Sequence, residues 1–177
     1  MKTLTLLRHA KSGWDDPVAR DFDRALNPRG QQAAARIGRY LRDEGLAFDF
    51  VIASPAVRVI ETLDHLATGL GSALAPSWER RIYLASSATL LDIVAALPAD
   101  ADRVLMVGHN PGLEDLILQL AAESELRTLV EEKFPTAALA ELSTQASGWD
   151  EVATAPATLS RYVRPRDLDP TLGPDDD

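Results

Sequence analysis

The sequence predicts a three-layer α/β/α sandwich on a mostly parallel central sheet with at least one antiparallel strand. Three observations carry that expectation. Short apolar runs alternate with segments of helical period, the pattern of a sheet covered by helices on both faces. Two of the runs, LTLLRHA and VLMVGHNPG, end in a histidine and a loop, and open α/β sheets bind their ligands outside the carboxyl ends of their strands. Two late runs lie close together with no long helix between them, which asks for an antiparallel strand.

The elements follow in order. Residues 3–7 read as a buried strand, and residues 11–26 as a long polar loop that contains Trp14. Asn27 and Pro28 open a helix as N-cap and first helical residue. Its apolar stripe is Ala33, Ile37, Tyr40 and Leu41, and Gly45 ends it. Residues 50–53 form the second strand. Ser54-Pro55 repeats the cap-plus-proline device, and Val57, Ile60, Ala67 and Leu70 give the next helix its buried face. Residues 78–84 read as a short extended stretch, and Leu90, Leu91, Val94 and Leu97 as a helix. Residues 104–107 are a strand. Asn110-Pro111 is the third cap-plus-proline, ahead of a helix with Leu113, Leu116, Ile117 and Leu120 inward. Leu126, Leu129 and Val130 mark one more helix. Residues 137–142 and 160–163 are the late strands, joined through a turn-rich segment at Gly148. The reading is one domain over 1–168, followed by an acidic tail, 169–177, expected to be disordered.

Composition narrows the function. The chain has 177 residues, 46% hydrophobic and 25% charged, as in an ordinary globular protein. Its net charge of -9 argues against a nucleic-acid partner, which needs a basic face. The absence of cysteine excludes disulfides and thiolate chemistry. The amino-terminal stretch is too short in apolar residues for a signal peptide. No run reaches the roughly 18 apolar residues of a membrane span. The expectation is a cytoplasmic protein with no membrane partner.

Within this acidic chain a cationic cluster is informative. Parallel strands would bring Arg8, His9 and His109 to one sheet edge, with Arg58 in the first turn of the helix after Ser54. A helix N-terminus favours anions, so an arginine there costs about 0.3–1 kcal/mol and asks for a compensating anion. Phosphate suits the set, because guanidinium forks match its oxygens. Without cysteine, His9 is the best-placed nucleophile: an imidazole is largely neutral at physiological pH, and neighbouring arginines keep it so. The same arginines would stabilise a transferring phosphoryl group. Water would then release inorganic phosphate from the histidine. The scheme needs no metal and no cofactor, and the chain has neither GxxxxGK[ST] nor GxGxxG.

These residues carry a resemblance. LLRHAKS, LNPRGQQAA, ASPAVRVIET and VGHNPGLE, in this order, resemble the histidine phosphatase superfamily, which has an Arg-His pair after the first strand, an SPxxRxxxT segment and a later histidine. KFPTAALAEL and YVRPRDL are similar to the SixA-type phosphohistidine phosphatases. The resemblance runs from about residue 4 to 168. It implies the phosphoglycerate mutase-like fold, His9 as covalent nucleophile, and Arg8, Arg58 and His109 as the phosphate pocket. It also implies a phosphorylated protein as substrate, with phosphohistidine as the phosphoryl carrier.

There are departures. Ala10 stands where many relatives have glycine. Larger relatives place an acidic residue near the pocket as general acid, and Glu79 is the nearest positional candidate, in a degenerate motif. A P–N substrate needs such an acid less, because its nitrogen can be protonated before cleavage. Lys11 and Ser12 either reach the phosphate or are solvated loop residues. Trp14 either lines the pocket mouth or packs in the core, His65 is structural or exposed, and Glu114 and Asp115 suit a first helical turn. The alternatives are a small-molecule phosphomonoesterase and a catalytically silent phosphate-binding module.

Overall fold

The computed structural model describes residues 1–14, 17 and 20–174. Among the described residues there are six strands: β1 (Lys2–Arg8), β2 (Phe50–Ala53), β3 (Ser77–Trp78), β4 (Arg103–Gly108), β5 (Leu139–Thr144) and β6 (Ala157–Val163). They form one sheet in the order β3-β2-β4-β1-β5-β6. β1, β2, β3 and β4 are mutually parallel, and β5 runs antiparallel to both β1 and β6. The helices are α1 (Pro28–Asp43), α2 (Val57–Leu70), α3 (Ser87–Ala95), α4 (Gly112–Leu120), α5 (Glu125–Glu132) and α6 (Pro165–Leu168).

The period-2 alternation of the strands splits the interior into two layers. Leu4, Leu6, Val104 and Met106 face one way and meet Leu90, Val94, Leu113, Leu116 and Val130 of α3, α4 and α5. Leu7, Val51, Leu105 and Val107 face the other way and meet Ile37, Leu41, Val59, Leu63 and Leu66 of α1 and α2. The central strands are covered on both sides, which is why they read as continuous apolar runs.

Local signals hold at several helix starts. The Asn27 side chain accepts the Gly30 N–H at 2.8 Å, with Pro28 as the first residue of α1. Ser86 and Ser124 cap α3 and α5 in the same way, by accepting from Thr89 and Arg127. Other expectations are corrected. α2 starts at Val57 after Ala56, and α4 at Gly112 after Pro111, so neither Ser54 nor Asn110 is the N-cap residue. The inner face of α2 is Arg58, Val59, Thr62, Leu63, Leu66 and Gly69, whereas Val57, Ile60, Ala67 and Leu70 flank it. Half of that inner face is polar or glycine, so the apolar period marked the flank. Residues 78–84 contain only the end of β3 and a 3-10 turn over Arg80–Ile82. Leu129 points outward from α5 while Val130 is buried. Part of the tail expected to be disordered is ordered: Pro170–Leu172 form a 3-10 turn, Leu172 joins the α1/α2 core layer, and Arg29 bonds the Gly173 carbonyl. Residues 175–177 lie outside the described residues.

α1 and α2 touch backbone to backbone. A Cβ on Gly38 would lie 2.2 Å from the Leu66 carbonyl oxygen, and one on Gly69 would lie 2.0 Å from that of Ala35. Inside a helix, Ala is favoured over Gly by about 1 kcal/mol. At Gly38 the clash with rigid backbone reverses the sign. Gly38→Ala is therefore expected to destabilise the fold by about 1–3 kcal/mol, read as a lower urea midpoint at unchanged m-value. A rise in midpoint would show that the two helices can move apart freely.

Candidate active site

The parallel register decides what meets at the carboxyl edge. Arg8 lies opposite Gly108, and Ala53 opposite Val107. The next residue of each chain segment continues the ladder: His9 N–H donates to Gly108 O at 3.0 Å, and Ser54 N–H to Val107 O at 3.1 Å. His9, Ser54 and His109 thus emerge at one level, and the two imidazole centroids are 5.3 Å apart. A cleft of about 310 Å³ opens there, lined by Arg8, His9, Arg58 and His109 among others. The four residues singled out from sequence converge on one space.

Arg58 is the most constrained of them. It is 3% exposed in the first turn of α2. Its Nη1 donates to the Asp21 carbonyl at 2.7 Å and its Nη2 to Asp21 Oδ2 at 3.1 Å. Asp21 is the compensating anion that this arginine asks for. Its carboxylate also accepts from Tyr83 Oη at 2.5 Å and from Arg24 Nε at 3.1 Å. Burial alone would raise the Asp21 carboxyl, but Tyr83, Arg58 and Arg24 outweigh it and hold the group down at about 2.

Hydrogen bonds fix the imidazole tautomers. His9 Nδ1 lies 2.7 Å from the Ala10 carbonyl, which can only accept, so Nδ1 carries the proton and Nε2 a lone pair. His109 Nδ1 accepts from Arg58 Nη2 at 3.4 Å, so its Nε2 carries the proton and donates to Ser54 Oγ at 2.8 Å. Burial pushes the His9 imidazolium well below its usual range; the Ala10 bond opposes this, and His109, Arg8 and Arg58 add to it. His109 is lowered to about 3, by burial first and Arg58 next. Both rings are neutral at pH 7.

Thr62 ties the pieces together. Its hydroxyl donates to the Arg58 carbonyl at 2.6 Å and accepts the Ala10 N–H at 2.9 Å. It fastens the residue after His9 to the helix that carries Arg58. Arg8 Nη1 donates to the Phe134 carbonyl at 3.1 Å. A neutral imidazole with a free lone pair, beside buried guanidinium groups, is suited to attack on phosphorus.

Known proteins resemble this chain in sequence and in fold. The sequence profile of the histidine phosphatase superfamily (branch 1) matches residues 4–81. An uncharacterised protein of Mycobacterium tuberculosis is 34% identical over 165 residues, covering 90% of this chain and 100% of the relative. A solved protein of Nakamurella multipartitia, assigned as phosphohistidine phosphatase SixA, superposes with a TM-score of 0.79 at 34% identity, covering 93% of this chain and 96% of that one. A second, from Agrobacterium tumefaciens, gives 0.77 at 29% identity, with coverage of 92% and 97%. The chain belongs to the histidine phosphatase superfamily. Within it the protein is SixA-like, and it is a phosphatase.

Other residues fall differently from the sequence reading. Glu79 does not line the cleft. Its carboxylate accepts from the Arg81 guanidinium at 2.7 Å and the Arg81 N–H at 3.1 Å, and these two bonds lower it. The histidine phosphatase cleft here has no protonated carboxyl from that residue. Ser12 and Trp14 line the cleft, whereas Lys11 lines a small neighbouring hollow with Arg29, Thr136 and Leu172. Trp14 is not a core residue; it is 71% exposed. His65 is half-buried on α2 and does not line the cleft. The Glu114 carboxylate accepts the Phe134 N–H at 3.1 Å. Asp21, Arg24 and Tyr83 were missed from sequence. The one signal for Asp21 was the uncompensated arginine at the start of α2, which pointed to an anion without locating it. Ser54 has a different partner from the one expected: it holds His109, while its Oγ also accepts the Ala56 N–H at 3.3 Å.

The depressed imidazole values set a pH expectation. A histidine buried as the neutral form binds fewer protons folded than unfolded. Its stabilising contribution is complete above the unfolded value near 6.5 and falls as pH drops towards the folded value. For His109 the window runs from about 6.5 down to about 3. The His9 and His109 C2–H resonances are expected to show no titration between about pH 6 and 8, and stability to fall steadily below about pH 6.5. A midpoint near 6.5 for either ring would contradict its lowering by burial.

Proposed function

We propose that the protein hydrolyses phosphohistidine on a partner protein through a covalent phosphohistidine at His9 Nε2. The observation that carries this is the His9–Ala10 bond, which places the lone pair on Nε2 within a cationic cleft. Nε2 attacks phosphorus; the new P–N bond forms as the bond to the leaving group breaks. Arg8 and Arg58 hold the phosphoryl oxygens while charge develops on them, joined by His109 once the bound anion raises it and its Nδ1 is protonated. Water then attacks the same phosphorus, the P–N bond to His9 breaks, and inorganic phosphate leaves.

Two considerations support a P–N substrate over an alkyl phosphate. The likeness to SixA proteins at 34% and 29% identity spans nearly the whole chain. The carboxylates near this edge are also poor acids: Asp21 sits at about 2, and Glu79 is held low by Arg81. A leaving imidazole collects its proton on nitrogen before the bond breaks and does not depend on either group. A cytoplasmic setting is part of this reading, and the cysteine-free sequence suits a reducing compartment.

Phosphate release from a phosphohistidine peptide at neutral pH, without added metal, tests the reading. His9→Ala is expected to lose at least ~10³-fold in turnover, and a radiolabelled phosphoryl group is expected on the wild type only. Glu79→Gln is expected to stay within about twofold of wild type, since its carboxylate is no proton donor here. Equal turnover of an unactivated alkyl phosphate would sink the P–N preference, and full activity of His9→Ala would sink the mechanism.

A further inference from the structure

We propose that Trp14 is a stacking platform for the leaving group, so that the cleft selects compounds whose phosphorus is bonded directly to a flat ring. The proposal deepens the phosphatase reading above and rests on it for the site of the phosphoryl group.

The first observation is an exposed indole that is nonetheless held. Trp14 is 71% exposed at the cleft that contains His9 and Arg58. The Arg24 guanidinium carbon lies 3.7 Å from its ring centroid, in stacking range. Arg24 is itself fixed, with Nε on Asp21 Oδ1 at 3.1 Å and Nη1 on Ser12 Oγ at 2.7 Å. Asp21 in turn grips Arg58. An unbroken chain, Trp14–Arg24–Asp21–Arg58, therefore joins the indole to the phosphate-binding floor. A rigid aromatic surface gives contact area at little cost in side-chain entropy.

The second observation is another exposed apolar residue of the same cleft. Leu84 is 61% exposed and takes a left-handed backbone with φ of 54°, a conformation rare for a residue with a Cβ. The rim thus offers an indole and an isobutyl group above a cationic floor. Two polar side chains of the cleft are engaged within the protein: Asn110 donates to Phe134 O at 2.9 Å and accepts from Glu114 N–H at 3.3 Å, and Ser12 Oγ accepts from Arg24; Thr136 also lines the cleft. Such a rim suits a planar, weakly polar group bonded to phosphorus, such as the imidazole of phosphohistidine, better than a hydroxylated alkyl chain.

Phenylphosphonate and methylphosphonate test this without turnover, because their P–C bonds are not hydrolysed. Both place an anion on the floor; only one carries a ring next to phosphorus. By calorimetry, Trp14→Ala is expected to weaken phenylphosphonate about tenfold and methylphosphonate by less than about twofold, with Trp14→Phe within about threefold of wild type. With the phosphohistidine peptide, Trp14→Ala is expected to raise KM and leave kcat nearly unchanged. Equal loss for both phosphonates would reduce Trp14 to a support of its loop and overturn the proposal. So would a wild type that binds the phenyl compound no more tightly than the methyl one. Failure of the wild type to turn over any phosphorylated compound would sink the phosphatase reading instead, and the ratio of the two binding constants would still decide the platform.

Discussion

Arg58 brings a permanent charge into the first turn of α2 at 3% exposure, on the turn whose dipole disfavours it. A guanidinium cannot shed its proton to escape burial, so partners must come to it. Asp21 comes from a loop 37 residues earlier, offering both its carbonyl and its carboxylate. That contact ties Asp21 to the carboxyl edge of the sheet. It recruits Tyr83 and Arg24 to the spare lone pairs of the carboxylate. It also leaves the cluster with more positive than negative charge, which adds to the burial that keeps both imidazoles neutral. The neutral form of His9 is thus a consequence of its own burial first, to which His109, Arg8 and Arg58 add.

The scaffold bears that load through short paths. β1 and β4 are adjacent and parallel, so the residues that follow them need no loop to meet. Thr62 bonds the Ala10 backbone to the Arg58 carbonyl, one turn of α2 away. Gly38 and Gly69 let α1 approach α2 at backbone distance, and α2 is the helix that presents Arg58. A shift of α1 against α2 would move a charged group within a site where hydrogen-bond lengths set the tautomers. Packing far from the cleft is therefore coupled to proton placement within it.

Much of this was legible in the chain itself. β1, β2 and β4 could be read because strands buried on both faces are apolar without interruption. Their polar endings then marked Arg8, His9 and His109, and parallel pairing did the rest. Arg58 could be read from its position next to a helix start. What could not be read depends on distance in sequence or on mixed composition. Asp21 lies in a polar segment with no apolar periodicity, at the start of a 3-10 turn over Asp21–Asp23, and its distant partners are Arg58 and Tyr83. The inner face of α2 contains Arg58, Thr62 and Gly69, so its apolar residues traced the wrong stripe. Ser54-Pro55 has the form of a cap, yet the serine oxygen meets a more demanding partner in buried His109. Trp14 looks like core by residue type and is held outward by Arg24.

The proton inventory of the cleft bears on what can leave from it. Asp21 and Glu79 are ionised at neutral pH, and both imidazoles are neutral. The mobile proton of His109 is bound towards Ser54, and that of His9 towards the Ala10 carbonyl. Tyr83 donates to Asp21, and burial and that carboxylate both push its phenol up, away from use as an acid. A dianionic phosphoryl group would raise His109 again, by placing negative charge against the arginines that now lower it. Even so, its proton would serve the phosphoryl oxygens first. Every arrangement here favours stabilising charge on phosphorus over delivering a proton to the departing atom. An alkoxide would leave such a site slowly. A protonated nitrogen leaves as a neutral ring, and needs from the protein a surface to depart along more than an acid to depart with.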